Sequence, residues 1–329
     1  MTLFNISLII AETRKALGIT QEQLAEGICS RETIVKIEKG ERRPNWFITR
    51  EILRRLGLDT GIYQTEIVSK TEIEKYNRIN AVYGAISAQK FDEAKAVIDE
   101  LESEHADPAW QSGLWLQMLL RAKAYFYSYG VFAAATVNPY ANAHLAIKNA
   151  TDCLNFFREG FDLDKIPKYY LAPHEVITIR CIAQSYASLG DTDKAIEILK
   201  NVKENMEKDA FIMQSSNPGF HEGSYLEIKE MLCFVFQTAQ RFEECLALAE
   251  EGEQYSIHRK NLISYLTWQT LKAHALTNLN RIDEADDFFK KVLLFHYIFD
   301  KKIFGCDFSV MKQMYEGMAN KTLNLDVPW

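Results

Sequence analysis

The stretch Thr20–Gly40, TQEQLAEGICSRETIVKIEKG, decides the fold of the N-terminal part of this chain. Thr20 can cap a helix, because its hydroxyl can accept a hydrogen bond from the backbone N–H groups two or three residues further on. Gly27 interrupts the helix that follows, and Ser30 caps a second helix that ends at Gly40. The spacing therefore predicts two short helices joined by a tight turn.

Each of these helices has one apolar face. Leu24 and Ala25 form it in the first helix, and Ile34 and Ile37, one turn apart, form it in the second. The outward face of the second helix carries Arg31, Glu32, Thr33 and Lys36. A helix-turn-helix protein inserts the N-terminal part of its second helix into the major groove of DNA. The pattern therefore predicts DNA binding.

Two further helices are predicted around this pair. Apolar residues recur at three- and four-residue intervals over residues 5–17, which indicates an amphipathic helix. Another helix starts at Pro44 or Asn45 and closes at Gly57. Together the helices predict a small N-terminal domain with a core of its own.

The polar side chains of this domain suit DNA recognition. Arg31 can donate to guanine O6 and N7, Glu32 can accept from a cytosine amine, and Lys36 can reach guanine or a phosphate. Phosphate contacts are expected from the basic connection after the second helix, which carries Lys39, Arg42 and Arg43. Such contacts give salt-sensitive affinity with little sequence information. The alternative for Arg42 and Arg43 is that they are only solvated.

The sequence of residues 1–64 resembles the XRE-type helix-turn-helix family of phage repressors and bacterial regulators. The matching positions are Arg14, Thr20, Gln21, Leu24, Ala25, Ile34, Ile37, Glu38, Gly40 and Pro44. The resemblance implies a five-helix domain, an internal ion pair between Arg14 and Glu38, and a phosphate contact by Gln21. The candidate DNA-binding residues are Arg14, Gln21, Arg31, Glu32, Thr33, Lys36, Lys39, Arg42 and Arg43.

The turn is one residue shorter than in the phage repressors. This feature, in LAEGICSRETIVKIEKG, resembles the peptide-sensing (quorum-sensing) regulators of the Rgg, PlcR and PrgX types. In that subgroup a helix-turn-helix head is joined to a body of tetratricopeptide-like repeats. The resemblance therefore implies a body that binds a short signalling peptide.

The composition favours an all-α protein. The chain has seven prolines and 15 glycines in 329 residues, with few alternating β-branched stretches. Its six cysteines are scattered with no C-x-x-C pair, and no secretory signal is evident, so we expect a cytoplasmic protein with no metal site. The opening MTLFNISLII is too short to span a bilayer, and we expect no membrane partner.

Charge is divided unevenly along the chain. Residues 1–60 carry ten Lys and Arg against eight Asp and Glu, a net charge of +2. The remainder carries 28 against 37, a net charge of −9. A weakly basic head on an acidic body fits a DNA-binding domain carried by a regulatory or scaffold domain.

The body repeats a hairpin pattern. A small residue follows each short connection at Ala94, Ala146, Ala195, Cys245 and Ala285, with spacings of 52, 49, 50 and 40 residues. These exceed the 34 residues of a plain tetratricopeptide repeat, so the units must be longer, with an insertion around 130–142. Residues 286–320 are predicted to add two capping helices. We therefore predict domains 1–64 and 65–329, the second an α-solenoid of tetratricopeptide-like hairpins.

The concave face of such a solenoid would hold an extended peptide, because amides can pair with its backbone and aromatic rings can form pockets for its side chains. Aligning the repeats gives the candidate peptide-binding residues Lys123, Tyr127, Arg180, Gln184, Glu230, Phe234, Gln237, His274 and Asn278. The alternative is that these polar residues are only solvated and the aromatic residues only pack.

Catalytic motifs are missing. The sequence has no phosphate-binding loop, no H-E-x-x-H and no G-x-S-x-G, and its histidines are spread singly. We therefore expect no enzyme and no cofactor. The predicted partners are a double-stranded DNA operator, a short signalling peptide and a second copy of the chain, since such heads act in pairs. In the alternative, the body is a protein-interaction or oligomerisation scaffold with no peptide ligand.

Overall fold

The structure is a computed structural model that describes residues 6–42, 46–58, 70–104, 113–130, 139–156, 158–208, 219–258 and 261–299. All regular secondary structure in these ranges is helical, and they contain no strand. The predicted all-α fold is confirmed. No helix within these ranges combines the length and the apolar character needed to cross a bilayer.

The N-terminal domain begins with four described helices. They are α1 (Ile6–Ala16), α2 (Gln21–Ala25), α3 (Arg31–Glu38) and α4 (Trp46–Arg55). The resemblance also implies a fifth helix, but residues 1–5, 43–45 and 59–64 of this domain lie outside the described residues. The buried core of this domain contains Ile10, Leu24, Ile34, Ile37 and Leu53. The sequence-predicted inner faces of α2 and α3 are thereby confirmed.

The predicted caps explain where α2 and α3 begin. The Thr20 hydroxyl accepts from the Gln23 backbone N–H at 3.1 Å, and the Gln23 side chain accepts from the Thr20 N–H at 2.7 Å. Ser30 Oγ accepts from the Thr33 N–H at 3.2 Å. Between them Gly27 has a φ of +72°, a conformation in which glycine carries no steric penalty. These groups satisfy backbone donors that the helix starts would otherwise leave unpaired.

The body consists of further helices and one 3-10 helix, Leu163–Lys168. The helices are α5 (Lys70–Ser87), α6 (Phe91–Glu104), α7 (Gly113–Gly130), α8 (Pro139–Asn155), α9 (Pro173–Ser188), α10 (Thr192–Lys208), α11 (Gly219–Thr238), α12 (Phe242–His258), α13 (Leu262–Asn278) and α14 (Ile282–Phe299). Helix α5 packs against α6, α7 against α8, and α9 against α10. The insertion predicted around 130–142 and the second capping helix fall mostly outside the described residues.

The repeat alignment is confirmed by burial. Each aligned small residue lies on the second helix of its pair and is at most 2 % exposed: Ala94, Ala146, Ala195, Cys245 and Ala285. In four of the pairs the residue five positions earlier has a positive φ, which lets the chain reverse between helices: Gln89, Gly190, Gln240 and Asn280. The aligned small residues thus belong to the buried side of each hairpin.

The chain divides into two compact units, residues 1–228 and 229–329. The first contains the N-terminal domain together with the first hairpins. Phe47 of α4 lies in the same buried cluster as Ile79 and Val82 of α5, and Ala172 completes the core of the N-terminal domain. The second unit contains most of α11 and helices α12 to α14. The predicted domain division at residue 64 stays a prediction.

Candidate nucleic-acid interface and repeat helices

The outward face of α3 carries three exposed charged side chains. Arg31 Nε lies 2.6 Å from Glu22 Oε1, and Lys36 Nζ lies 2.7 Å from Glu32 Oε1. The hydrogen bond from Lys36 lowers the pKa of Glu32. Exposed pairs of this kind contribute little to stability. Arg31, Glu32 and Lys36 can therefore exchange these partners for base edges at small cost.

Thr33 is placed differently from its neighbours on α3. It is 8 % exposed, and its hydroxyl lies 3.0 Å from Ser30 Oγ and 3.5 Å from Arg42 Nη1. The side chain therefore belongs to the helix start, and a DNA contact by Thr33 stays a prediction. The sequence pattern missed this because a threonine three residues after a serine cap can turn its hydroxyl back to the cap.

The ion pair that the resemblance implied is present. Arg14 Nε and Nη2 donate to the two carboxylate oxygens of Glu38 at 2.5 and 3.0 Å, and Arg14 Nη1 donates to the Ile19 carbonyl at 3.0 Å. Gln21 Nε2 donates to the same carboxylate at 2.8 Å. Burial raises the pKa of Glu38, but the hydrogen bonds from Arg14 and Gln21 outweigh it and lower that pKa. DNA contacts by Arg14 and Gln21 stay predictions.

The basic connection after α3 is partly described. Lys39 is exposed, with Nζ 4.0 Å from Glu41 Oε1, and Arg42 is also exposed. Arg43 lies outside the described residues. Lys39 and Arg42 are thus open to solvent beside α3, as a phosphate contact requires.

Cys29 in the turn is half-buried. Burial raises the pKa of its thiol to about 12, although Arg55 and Arg42 act in the opposite direction. The thiol is therefore protonated at neutral pH and is a poor nucleophile. The five cysteines in the described ranges are all free, and no cluster of three potential metal ligands occurs there.

In the first unit, the candidate peptide residues differ in exposure. Lys123 is half-buried in an ion pair with Glu102, and Tyr127 packs edge-on against Phe126 with ring centroids 5.3 Å apart. Arg180 is 5 % exposed, and its Nη1 lies 3.5 Å from the Tyr129 hydroxyl and 3.4 Å from Glu227 Oε2. Gln184, 2 % exposed, donates from Nε2 to the Ser128 carbonyl at 3.0 Å.

Two polar atoms on α9 have no partner among the described residues. They are the Nε donor of Arg180 and the Oε1 acceptor of Gln184, and both are buried. The two residues lie one helical turn apart. Leaving a buried polar group without a hydrogen bond costs about 1–3 kcal/mol. A ligand that presents both N–H and C=O groups could satisfy the pair.

In the second unit, the candidates lie on α11 and α13. Gln237 Nε2 lies 3.4 Å from the Leu271 carbonyl, and Asn278 Nδ2 donates to the His274 carbonyl at 2.9 Å. Burial lowers the pKa of His274. Phe234 is 39 % exposed and Glu230 is half-buried. Ligand contacts by all nine candidates in the two units stay predictions.

A cluster of buried ionisable residues in the first unit was not predicted from the sequence. Glu51 of α4 is fully buried and accepts from Arg50 at 2.7 and 3.0 Å. His174 of α9 places Nδ1 3.2 Å from Glu51 and Nε2 3.0 Å from the Gly27 carbonyl. Burial raises the pKa of Glu51, but Arg50, His174 and Arg54 outweigh it, so the pKa lies well below its usual value. Partners more than 120 residues apart leave no local pattern.

Known protein families match both the N-terminal domain and part of the body. The helix-turn-helix family profile matches residues 10–61, and the tetratricopeptide repeat profile matches residues 269–294. An uncharacterised HTH-type transcriptional regulator of Methanothermobacter thermautotrophicus is 46 % identical over 50 residues. That match covers 15 % of this chain and 72 % of the relative.

Two solved structures are similar along nearly the whole chain. PlcR of Bacillus thuringiensis, in complex with the peptide PapR7 and DNA, gives a TM-score of 0.54 at 18 % identity, covering 97 % of this chain and 100 % of PlcR. ComR of S. thermophilus, in complex with DNA and its signalling peptide ComS, gives a TM-score of 0.47 at 15 % identity, covering 96 % and 98 %. The predicted combination of a helix-turn-helix domain and a repeat body thus has the fold of PlcR.

Proposed function

This chain belongs to the XRE-type helix-turn-helix transcriptional regulators, and we propose that a short peptide bound to its repeat body controls its DNA binding. The recognition helix is α3, with Arg31, Glu32 and Lys36 at base edges. Lys39, Arg42 and Arg43 contact phosphates. Two copies of the chain bind one operator, because a single head reads too few base pairs for strong specificity. The protein acts in the cytoplasm.

The observation that carries the peptide proposal is a pair of buried atoms on α9, Arg180 Nε and Gln184 Oε1, that have no hydrogen-bond partner among the described residues. Arg180 Nε can donate to a peptide carbonyl, and Gln184 Oε1 can accept from a peptide N–H. An extended peptide presents both groups along its length. PlcR, which shares the fold, was solved with a peptide and DNA together, and this supports the same ligand class here.

The test is native mass spectrometry of the protein purified from its own host. We expect a co-purifying mass of about five to ten residues, the size of segment that an extended-peptide groove takes. Gln184→Leu should lose this mass, because a leucine leaves a peptide N–H without an acceptor. Glu197→Gln, on the exposed face of α10, is the control and should retain it.

A protein-interaction scaffold is the second candidate function of the body. Ile257 and Leu262, near the connection between α12 and α13, are 51 % and 52 % exposed, and a protein partner could cover them. Purified chain with no bound mass, but with a stoichiometric protein partner, would support this candidate and contradict the peptide proposal.

A further inference from the structure

The turn before the recognition helix is held by side chains from the repeat body. Arg158, which follows α8, donates to the Glu26 carboxylate in the turn and to both oxygens of Glu175 of α9 at 3.2 Å. Its Nη2 also donates to the Tyr170 carbonyl at 3.3 Å. Burial lowers the pKa of Arg158, but the carboxylates of Glu175 and Glu26 outweigh it and raise that pKa. One guanidinium thus joins the turn to the body.

A second contact reaches the same turn. The His174 ring bridges the Gly27 carbonyl, 3.0 Å from Nε2, and the Glu51 carboxylate, 3.2 Å from Nδ1. The ring therefore joins the backbone of the turn to the buried carboxylate of α4. Phe47 lies beside the ring, with centroids 5.7 Å apart.

These contacts are costly to break. Glu51 is fully buried, and His174 and Glu175 are each 2 % exposed. Removing one partner of a buried ion pair leaves an uncompensated charge, which is strongly destabilising. The turn therefore cannot leave the body without uncovering several charges at once.

The turn also sets the position of α3. Ile28 and Cys29 donate their N–H groups to the Ala25 carbonyl, each at 2.9 Å, and Ser30 immediately caps α3. Because these bonds hold the backbone of the turn directly before the Ser30 cap, a displacement of the turn is passed on to the start of α3 and thus to Arg31. A base contact depends on the placement of such a side chain, whereas a phosphate contact by a lysine tolerates more movement.

We propose that Arg158, His174 and Glu175 of the body are positioning residues for DNA recognition, which set the orientation of α3 by holding Glu26 and Gly27 in the turn. This proposal rests on the proposed function in that α3 reads base edges. His174 and Glu175 stand on α9, the helix that also carries Arg180 and Gln184. A ligand that moves α9 would therefore act on the recognition helix through the same contacts.

The test compares Arg158→Gln with Arg78→Gln in the full chain. Arg78 of α5 also joins two carboxylates, Glu104 at 2.8 Å and Glu100 at 3.4 Å, both of them on α6 and away from the turn. The DNA probes are a duplex that the wild-type chain selects from a random-sequence pool and the same duplex with its sequence scrambled. Glu26→Gln, which removes only the partner in the turn, is the milder variant should Arg158→Gln fail to fold.

Two readouts separate positioning from general stability. Affinities are measured at a temperature at which thermal unfolding shows every variant to be folded. We expect Arg158→Gln and Glu26→Gln to lower the ratio of selected to scrambled affinity on the order of tenfold, the loss of about one base contact. Hydrogen exchange at Ile28 and Cys29 should accelerate in both variants. Arg78→Gln should change neither quantity.

Three outcomes would overturn the proposal or redirect it. Faster exchange with an unchanged affinity ratio would mean that the body holds the turn without positioning α3, and unchanged exchange would mean that it does not hold the turn. Either result contradicts the proposal. A wild-type chain with no sequence preference would contradict the proposed function instead, and the exchange of Ile28 and Cys29 would then decide whether the body grips the turn.

Discussion

The carboxylate of Glu175 occupies the space into which a side chain at Gly27 would project. A Cβ built on Gly27 would lie 2.3 Å from Glu175 Oε2, and Gly27 itself has a φ of +72°. The glycine therefore has two roles: it makes the turn between α2 and α3, and it lets a buried carboxylate of the body approach the backbone of that turn. That close approach is one of several contacts between the N-terminal domain and the first hairpins.

Gly27→Ala should destabilise the chain more than Gly18→Ala. Gly18 has nearly the same backbone conformation, a φ of +69°, but nothing lies within 4 Å of the place that its Cβ would take. Gly18→Ala should therefore cost only the left-handed penalty, about 1–2 kcal/mol. Gly27→Ala must also displace Glu175 from its hydrogen bonds, which adds about 1–3 kcal/mol. Urea unfolding of both variants measures the difference, and equal costs would mean that Glu175 adapts freely.

Acid should weaken the first unit through Glu51. Its pKa is depressed in the folded chain, so the carboxylate stabilises the fold above its unfolded pKa of about 4.5. That stability is lost as the pH falls through the lower, folded pKa. The unfolding free energy should therefore decline from about pH 5 downward.

Glu51→Gln tests this source of pH dependence. At neutral pH it should cost about 3–5 kcal/mol, because Arg50 and His174 stay buried without their carboxylate. Its unfolding free energy should then fall less steeply with acid than that of the wild-type chain. Parallel pH curves would assign the acid sensitivity to other carboxylates, such as Glu38.

The N-terminal domain could be predicted closely because its signals are local. Thr20, Gly27 and Ser30 act on backbone groups within three residues, so the sequence itself places the two helix starts and the turn. The pair of Arg14 with Glu38 spans 24 residues, and only the family resemblance pointed to it. In the body, small residues such as Ala195, which are buried on the second helix of each pair, revealed the hairpins.

The contacts between the domain and the body could not be predicted. Arg158 and Glu26 are 132 residues apart, and a long-range pair of charges leaves no periodic trace in one sequence. The burial of Arg180 and Gln184 was also missed, since a polar residue on a helix face is usually exposed. They contact Ser128 and Tyr129 of α7, more than 50 residues away in the sequence. Local sequence patterns do not show that α7 packs against α9.

Cys29 should resist alkylation in the folded chain. Burial raises the pKa of its thiol to about 12, so the thiolate is scarce at pH 8. Because the thiolate is the reacting species, iodoacetamide should modify Cys29 on the order of 100-fold more slowly than in urea. Mass spectrometry of tryptic peptides measures the rate. Rapid modification of the folded chain would reveal a reactive thiol and support a redox role for the turn.

The two kinds of DNA contact should respond differently to truncation. Arg31→Ala removes a side chain that is 60 % exposed and forms an ion pair with the equally exposed Glu22, so it should leave stability nearly unchanged. It should cost about 1–3 kcal/mol in affinity for the selected duplex and little for the scrambled one, because a base contact carries the sequence information.

Lys39→Ala should weaken binding to both duplexes about equally and reduce the slope of log affinity against log salt by about 0.9. Fluorescence anisotropy at several salt concentrations measures both quantities for both variants. If Arg31→Ala instead weakened both duplexes equally, Arg31 would be a phosphate contact, and the reading of bases would have to come from Glu32 and Lys36.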